Sequence, residues 1–190
     1  MPSPTHAQVA SFDPDALRAL YERKASAMTR RPGFGRGSGH ARVRMGAGYA
    51  CDVEHEDRSM RVDQPPAEGG DGTGPHPGQL MRASLAACLA MGYRTWGARL
   101  RTSIEAVEVE VTCDYDARGQ LGLDDGVAIG WQRILFVVRI DSSAGESAVR
   151  KIVETADRLS PMLANLSPAI ERHHTLTVRH LSAPAPNGEG

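Results

Sequence analysis

The chain has 190 residues, 41% of them hydrophobic, which is the size of one domain and enough to bury a core. Its formal net charge of -1 leaves no electrostatic footprint for nucleic acid or an anionic membrane. Three cysteines with no CxxC spacing do not make a disulfide framework and read as reduced thiols. MPSPTHAQVASFDPDAL, at the start, lacks the basic and apolar segments of a secretory signal, so a single domain over 1–190, located in the cytoplasm, is expected.

Asp13 before Pro14 is a capping side chain followed by proline in a first turn. It predicts an N-terminal helix over about 13–29, with Leu17, Leu20, Tyr21, Lys24 and Met28 on one face. RRPGFGRGSGH, residues 30–40, is a glycine-rich loop leading into a strand hairpin with arms at about 41–55 and 58–64. A second loop, GGDGTGPHPGQ from Gly69, then breaks into LMRASLAACLAMGYRTWGARL, expected as a helix over 79–100. From Ala83 to Tyr93 it carries no charged side chain, so it should lie inside the protein, and it is too short to span a membrane. Gly92 and Gly97 weaken an isolated helix and suggest a close neighbouring backbone, for which a dimer partner is one candidate.

Residues 104–116 alternate, with Val107, Val109, Val111, Cys113 and Tyr115 on one face and Glu108, Glu110, Thr112 and Asp114 on the other, a half-buried strand. An aperiodic stretch at 117–130 joins it to a second strand, Trp131 to Ile140, as a long hairpin. Ser143 with Glu146 reads as a capping box for a helix whose stripe is Val149, Ile152, Val153, Ala156 and Leu159. Ser160-Pro161 ends it, with Ser160 as an N-cap for a short turn over 161–167. A last strand at 174–181 and a disordered tail at 183–190 are expected. Strands before a central helix, then more strands and a helix, predict an α+β architecture with antiparallel sheets.

Little cofactor chemistry is legible. The loop from Gly69 to Gly78 lacks both the Lys-Ser/Thr end of a Walker motif and the GxGxxG pattern, and His173-His174 on a strand would point to opposite faces without partners at zinc spacing. Neither a cofactor nor a metal is expected. Cys88 is the one candidate for chemistry, although a cysteine in an apolar helix also reads as a small core residue. Cys51 and Cys113 lie on apolar strand faces and are expected in the core.

The loop from Gly69 to Pro77 and the segment Ala83-Ser84-Leu85-Ala86-Ala87-Cys88 resemble the osmotically inducible protein C (OsmC) and organic hydroperoxide resistance (Ohr) family. There, Gly-Gly-Asp-x-Thr-Gly-Pro-x-Pro precedes a helix carrying Ala-(Ser/Ala)-Leu-(Ala/Gly)-Ala-Cys. The resemblance extends over about residues 36–181 and excludes the first helix. It implies antiparallel sheets wrapped around buried central helices in an intertwined homodimer. It also implies a reactive thiol at Cys88 and an arginine from the N-terminal loop or first strands, here Arg36 or Arg61, with Arg36 preferred for its glycine turn.

Two departures follow from the same comparison. Ser160 stands before Pro161 where catalytic members have a second, resolving cysteine, and Gly78 or Gln79 stands where they have a glutamate. The family thus implies a redox protein in which Cys88 reduces organic hydroperoxides by a one-cysteine route with an external thiol as reductant. The alternative is a non-catalytic module holding a small apolar ligand at the dimer interface, against Leu85, Leu89, Met91 and Trp96. A third reading gives the N-terminal helix a partner to hold.

Overall fold

The protein, described by a computed structural model over residues 12–56 and 58–166, is a mixture of helix and antiparallel sheet built around one long helix. The strand expected at 174–181, the His173-His174 pair and the tail at 183–190 lie outside the described residues. The first helix, α1 (Pro14–Arg30), starts where Asp13 Oδ1 accepts from the backbone N–H groups of Asp15 and Ala16 at 2.9 and 3.0 Å. It holds no fully buried residue. Leu17 and Tyr21 are half-buried, while Leu20, Lys24 and Met28 stay exposed.

Three strands follow, β1 (Arg42–Met45), β2 (Cys51–His55) and β3 (Arg58–Val62), in an antiparallel sheet of order β1-β2-β3. The expected single arm over 41–55 is therefore two strands, because the chain bends at residues 47–49 beside Gly46 and Gly48. The register aligns Val43 with Val53 and Met60, and Met45 with Cys51 and Val62. One face of the sheet consequently carries these six apolar side chains side by side, with the paired His55 and Arg58 at its end, since alternate residues share a face. The other carries Arg44 paired with Glu54 and Arg61 paired with Asp52, each at 3.1 Å.

Val62 leads into the glycine loop, whose shape is set by one carboxylate. Asp63, only 2% exposed, accepts hydrogen bonds from the backbone N–H of Gln64 (2.8 Å), Asp71 (3.3 Å) and Thr73 (3.0 Å) and from the Thr73 hydroxyl (2.8 Å). A buried carboxylate is tolerable only with such a set of donors. The loop closes tightly enough that a Cβ on Gly70 would fall 2.1 Å from Gln64 O, and one on Gly74 2.2 Å from Arg61 O, so both positions need glycine. The loop delivers His76, whose Nδ1 accepts from Gly78 N at 3.0 Å while Gln79 Oε1 accepts from His76 N at 2.8 Å. This reciprocal cap opens α2 (Pro77–Arg99).

Beyond α2, β4 (Ala106–Asp114) and β5 (Arg133–Asp141) pair antiparallel, with the short helix α3 (Ala117–Gln120) between them. Val107, Val109, Val111 and Cys113 alternate inward as expected, opposite Ile140, Val138, Phe136 and Ile134. Helix α4 (Glu146–Arg158) and the short α5 (Pro161–Asn165) complete the described chain. The core is Leu85, Leu89 and Tyr93 of α2 with Ile104, Ile152 and Ala156.

Three local expectations change. The start of α4 is not a Ser143–Glu146 capping box. Its N-cap is Gly145, and Ser143 instead donates from its backbone N and hydroxyl to Glu105 of the preceding hairpin, at 3.1 and 2.9 Å. The close neighbour of Gly97 is the chain's own turn, because an added Cβ would lie 2.6 Å from Ile104 Cγ1 and 3.1 Å from Thr102 O. Finally, α2 is not covered all round by the described residues: Ala83, Ala87 and Met91 are exposed.

The donors on Asp63, Thr73 N–H foremost, hold its carboxyl below the usual carboxylate range. A group with a lowered folded-state pKa stabilises fully above its unfolded value of about 3.9, and this stabilisation is lost as pH falls through the folded value. Asp63→Asn should therefore lower the melting temperature at pH 7, and its deficit against wild type should narrow below about pH 4. Thermal melts from neutral to acid pH check this, and an unchanged melting temperature at pH 7 would refute the loop's dependence on Asp63.

Candidate functional site around Cys88

One face of α2 presents Cys88, Gly92, Thr95 and Arg99, at spacings of four, three and four residues. This row forms the floor of a cavity of about 460 Å³. Tyr21 of α1 closes one side, and Leu159, Ser160 and Pro161, between α4 and α5, close the other. Cys88 is half-buried and its thiol is free, as are those of Cys51 and Cys113. Neither of the latter is fully buried, so both sit nearer the surface than the core positions expected for them.

Cys88 and Ser160, far apart in sequence, line the same cavity. Ser160 is buried, and its Oγ accepts from Leu163 N at 3.3 Å, the N-cap expected before Pro161. The two helices that carry the pair are tied near the site. Tyr93 of α2 donates its hydroxyl to Asp157 Oδ1 at 2.8 Å, and burial, reinforced by Asp157, pushes the Tyr93 phenol up, so it stays a donor. Asp157 lies three positions before Ser160.

The arginines named from the sequence are elsewhere in the single chain. Arg36 caps the 3-10 turn Pro32–Gly35, is exposed, and is not among the residues lining the Cys88 cavity. Arg61 is paired with Asp52. Arg94 stacks on Phe12, with its guanidinium carbon 4.8 Å from the ring centre, and donates to Glu105 O at 3.2 Å. The position of the family's glutamate falls at Gly78 or Gln79, and Gln79 is engaged in capping α2.

Among the described residues, the cation that lines the cavity is Arg99. Its guanidinium carbon lies 3.9 Å above the Trp96 ring and 5.7 Å from the Tyr21 ring. Sequence reasoning missed it, although a separation of eleven residues is three helical turns and returns to the face of Cys88. Of the apolar wall anticipated there, Leu89, Met91 and Trp96 line the cavity, whereas Leu85 points into the core.

A second, larger cavity of about 980 Å³ has Cys113, Arg82, His76, Gln79, Trp131 and Leu166 among its lining residues. Burial pushes the Cys113 thiol up, against the pull of Arg82, so this thiol is held protonated. Among the described residues, no three His, Cys, Asp or Glu side chains group to hold a metal, and no helix is long and apolar enough to cross a membrane.

Known structures share this arrangement of helices and sheets. An OsmC-like protein from Mycoplasma pneumoniae superposes with a TM-score of 0.60 at 14% identity, over 70% of this chain and 89% of that one. An organic hydroperoxide resistance protein OsmC from Legionella pneumophila, described as a predicted redox protein, gives 0.54 at 19% identity, over 70% and 90%. A putative organic hydroperoxide resistance protein from Vibrio cholerae, with captopril bound in one of its active sites, gives 0.52 at 19%, over 72% and 90%. At these identities the likeness shows the fold. No curated protein matches the chain. The family described as OsmC-like protein matches residues 70–174, from the glycine loop through the central helix and the second sheet, and the chain belongs to that family.

Proposed function

We propose that this protein is a one-cysteine thiol peroxidase acting on organic hydroperoxides. The observation that carries the reading is that Cys88, in the family's cysteine position, lines an apolar-walled cavity together with Ser160. In the reaction, the Cys88 thiolate attacks one oxygen of the O–O bond. That bond breaks, the remaining alkoxide takes a proton and leaves as an alcohol, and Cys88 becomes a sulfenic acid. An external thiol condenses with the sulfenic acid to form a mixed disulfide and water, and a second external thiol releases Cys88 as a new disulfide forms between the two reductants. Serine at position 160 supplies no sulfur for an internal disulfide, so the external thiol meets the sulfenic acid itself. A thiol-rich compartment such as the cytoplasm suits this cycle.

The same reading takes the protein as a homodimer. On the apolar face of the first sheet Val43, Met45 and Met60 are 57%, 62% and 52% exposed, and Met91 on α2 is 69% exposed. A second copy would cover both surfaces, and the partner is also where a thiolate-stabilising arginine such as Arg36 or Arg61 would originate. A specific observation favours a second reading, a ligand-binding module without turnover: in the single chain neither of those arginines reaches the cavity, and Gln79 offers no carboxylate to hold one.

Three measurements test these proposals. Cys88→Ser should reduce turnover of cumene hydroperoxide with dithiothreitol to background, a loss of about a hundredfold or more, while Cys51→Ser and Cys113→Ser keep most of it. Full activity without Cys88 ends the thiol mechanism, and an inactive wild type leaves the binding module. Ser160→Cys should form an intramolecular disulfide with Cys88 under mild peroxide, because a shared cavity can bring the Cα atoms within the roughly 7 Å a disulfide needs. Peptide mapping that finds the two thiols unlinked in a folded protein contradicts the alignment of Ser160 with the resolving cysteine. Sedimentation should find a dimer down to low micromolar concentration, and a folded monomer there would remove the shared interface.

A further inference from the structure

Arg99 is an arginine without a carboxylate partner among the described residues, and it lines a cavity whose other walls are mostly apolar. Its stacking on Trp96 at 3.9 Å engages the face of the guanidinium. The N–H groups lie around the edge of that plane, in the fork that matches a carboxylate. Stacking also restricts the side chain, so part of the ordering cost of binding is already met. Tyr21 of α1 borders the same group at 5.7 Å.

Arg99 and Cys88 occupy the two ends of one helix face. Eleven residues separate their Cα atoms by about 16 Å along the axis, and helical side chains lean toward the N-terminus, which turns Arg99 back toward the thiol. Gly92, between them, adds no side chain to the floor, and Leu89, Met91 and Leu159 contribute apolar wall. The cavity therefore has a thiol at one end, a cation toward the other, and apolar surface between.

We propose that Arg99 is a specificity residue that selects ligands bearing a carboxylate at the end of an apolar chain, with the carboxylate on Arg99 and the chain directed along α2 toward Cys88. An extended chain of about ten carbons covers the greater part of the rise between them. The inference rests on the proposed function in taking Cys88 as the reacting end of the cavity, but the selection itself is a property of binding. It also gives α1, which the family resemblance does not cover, a role in the site, because Tyr21 borders the cation.

Sodium decanoate, decan-1-ol and methyl decanoate, titrated into the full-length protein by calorimetry, test this, with alkylation of Cys88 by iodoacetamide followed in parallel by mass spectrometry. Decanoate should bind about tenfold more tightly than either neutral analogue and should slow alkylation of Cys88. Arg99→Gln should erase the preference to within about twofold, while Arg99→Lys, which keeps the charge without the fork, should retain part of it. Equal binding of decanoate and decanol overturns the proposal, as does a preference that survives in folded Arg99→Gln, or decanoate binding that leaves Cys88 alkylation unchanged. If Arg99→Gln fails to fold, wild type decides: the decanoate advantage must shrink as salt rises toward about 0.5 M, and a salt-independent advantage overturns the proposal. Selective binding with protection of Cys88, in a protein that turns over no hydroperoxide, removes the peroxidase reading and supports the role of Arg99.

Discussion

A helix with no charged side chain over three turns has no face it can give to water without cost, and the rest of this fold is arranged around that constraint on α2. Its own chain closes it with β4, α4, α1 and α5, seating Leu85, Leu89 and Tyr93 in the core. The strip through Ala83, Ala87 and Met91 is exposed. The first sheet has the converse problem, six adjacent apolar side chains on one face, of which Val62 is buried while Val43, Met45 and Met60 stay exposed, with charge pairs on the other face. Contiguous exposed apolar surfaces of this kind mark interaction sites, and these two are complementary in kind. The proposed homodimer resolves both at once.

The same helix is also the ruler of the site, so whatever fixes its start fixes where Cys88 lies. Asp63 gathers four donors from residues 64–73 and so shapes the loop before His76 and Gln79 begin the first turn. At the other end of the site, the bond from Tyr93 to Asp157 holds α2 against the last turn of α4, just before Ser160. Neither contact touches the cavity's chemistry. Together they set the position of a side chain on one helix relative to a residue between two others, which a reacting thiol and its neighbour require to well under an ångström.

Features encoded in adjacent residues were legible in the sequence. The alternation of Val107, Val109 and Val111 became β4, Asp13-Pro14 became the start of α1, and Ser160-Pro161 became a capped turn. Charge-free α2 was recognisable, as was its cysteine. What could not be read depends on residues meeting across long separations. Glu105 takes Ser143 away from its expected capping role over a gap of 38 residues, and Asp63 is unremarkable until the loop folds back on it. The Arg99 stack takes one ring from α1 and one from α2, and periodicity along α2 alone could place Arg99 on the face of Cys88 without revealing the aromatic ring that helps hold it.

Replacement of the second cysteine by serine changes what the cavity must admit. With a resolving cysteine, the sulfenic acid is consumed inside the protein as an internal disulfide, and the external thiol that regenerates the enzyme attacks that disulfide instead of the sulfenic acid. With Ser160, whose oxygen is already engaged in capping α5, the oxidised sulfur must wait for a second molecule that approaches the same atom after the alcohol has gone. Under the proposed cycle a narrow, sealed pocket would trap the enzyme in its oxidised form. The cavity here is bounded at Met91 and Arg99 by exposed side chains, leaving an approach from solvent alongside the apolar wall. The openness that keeps Arg99 within reach of a charged ligand is thus the same openness that a thiol reductant needs to reach Cys88.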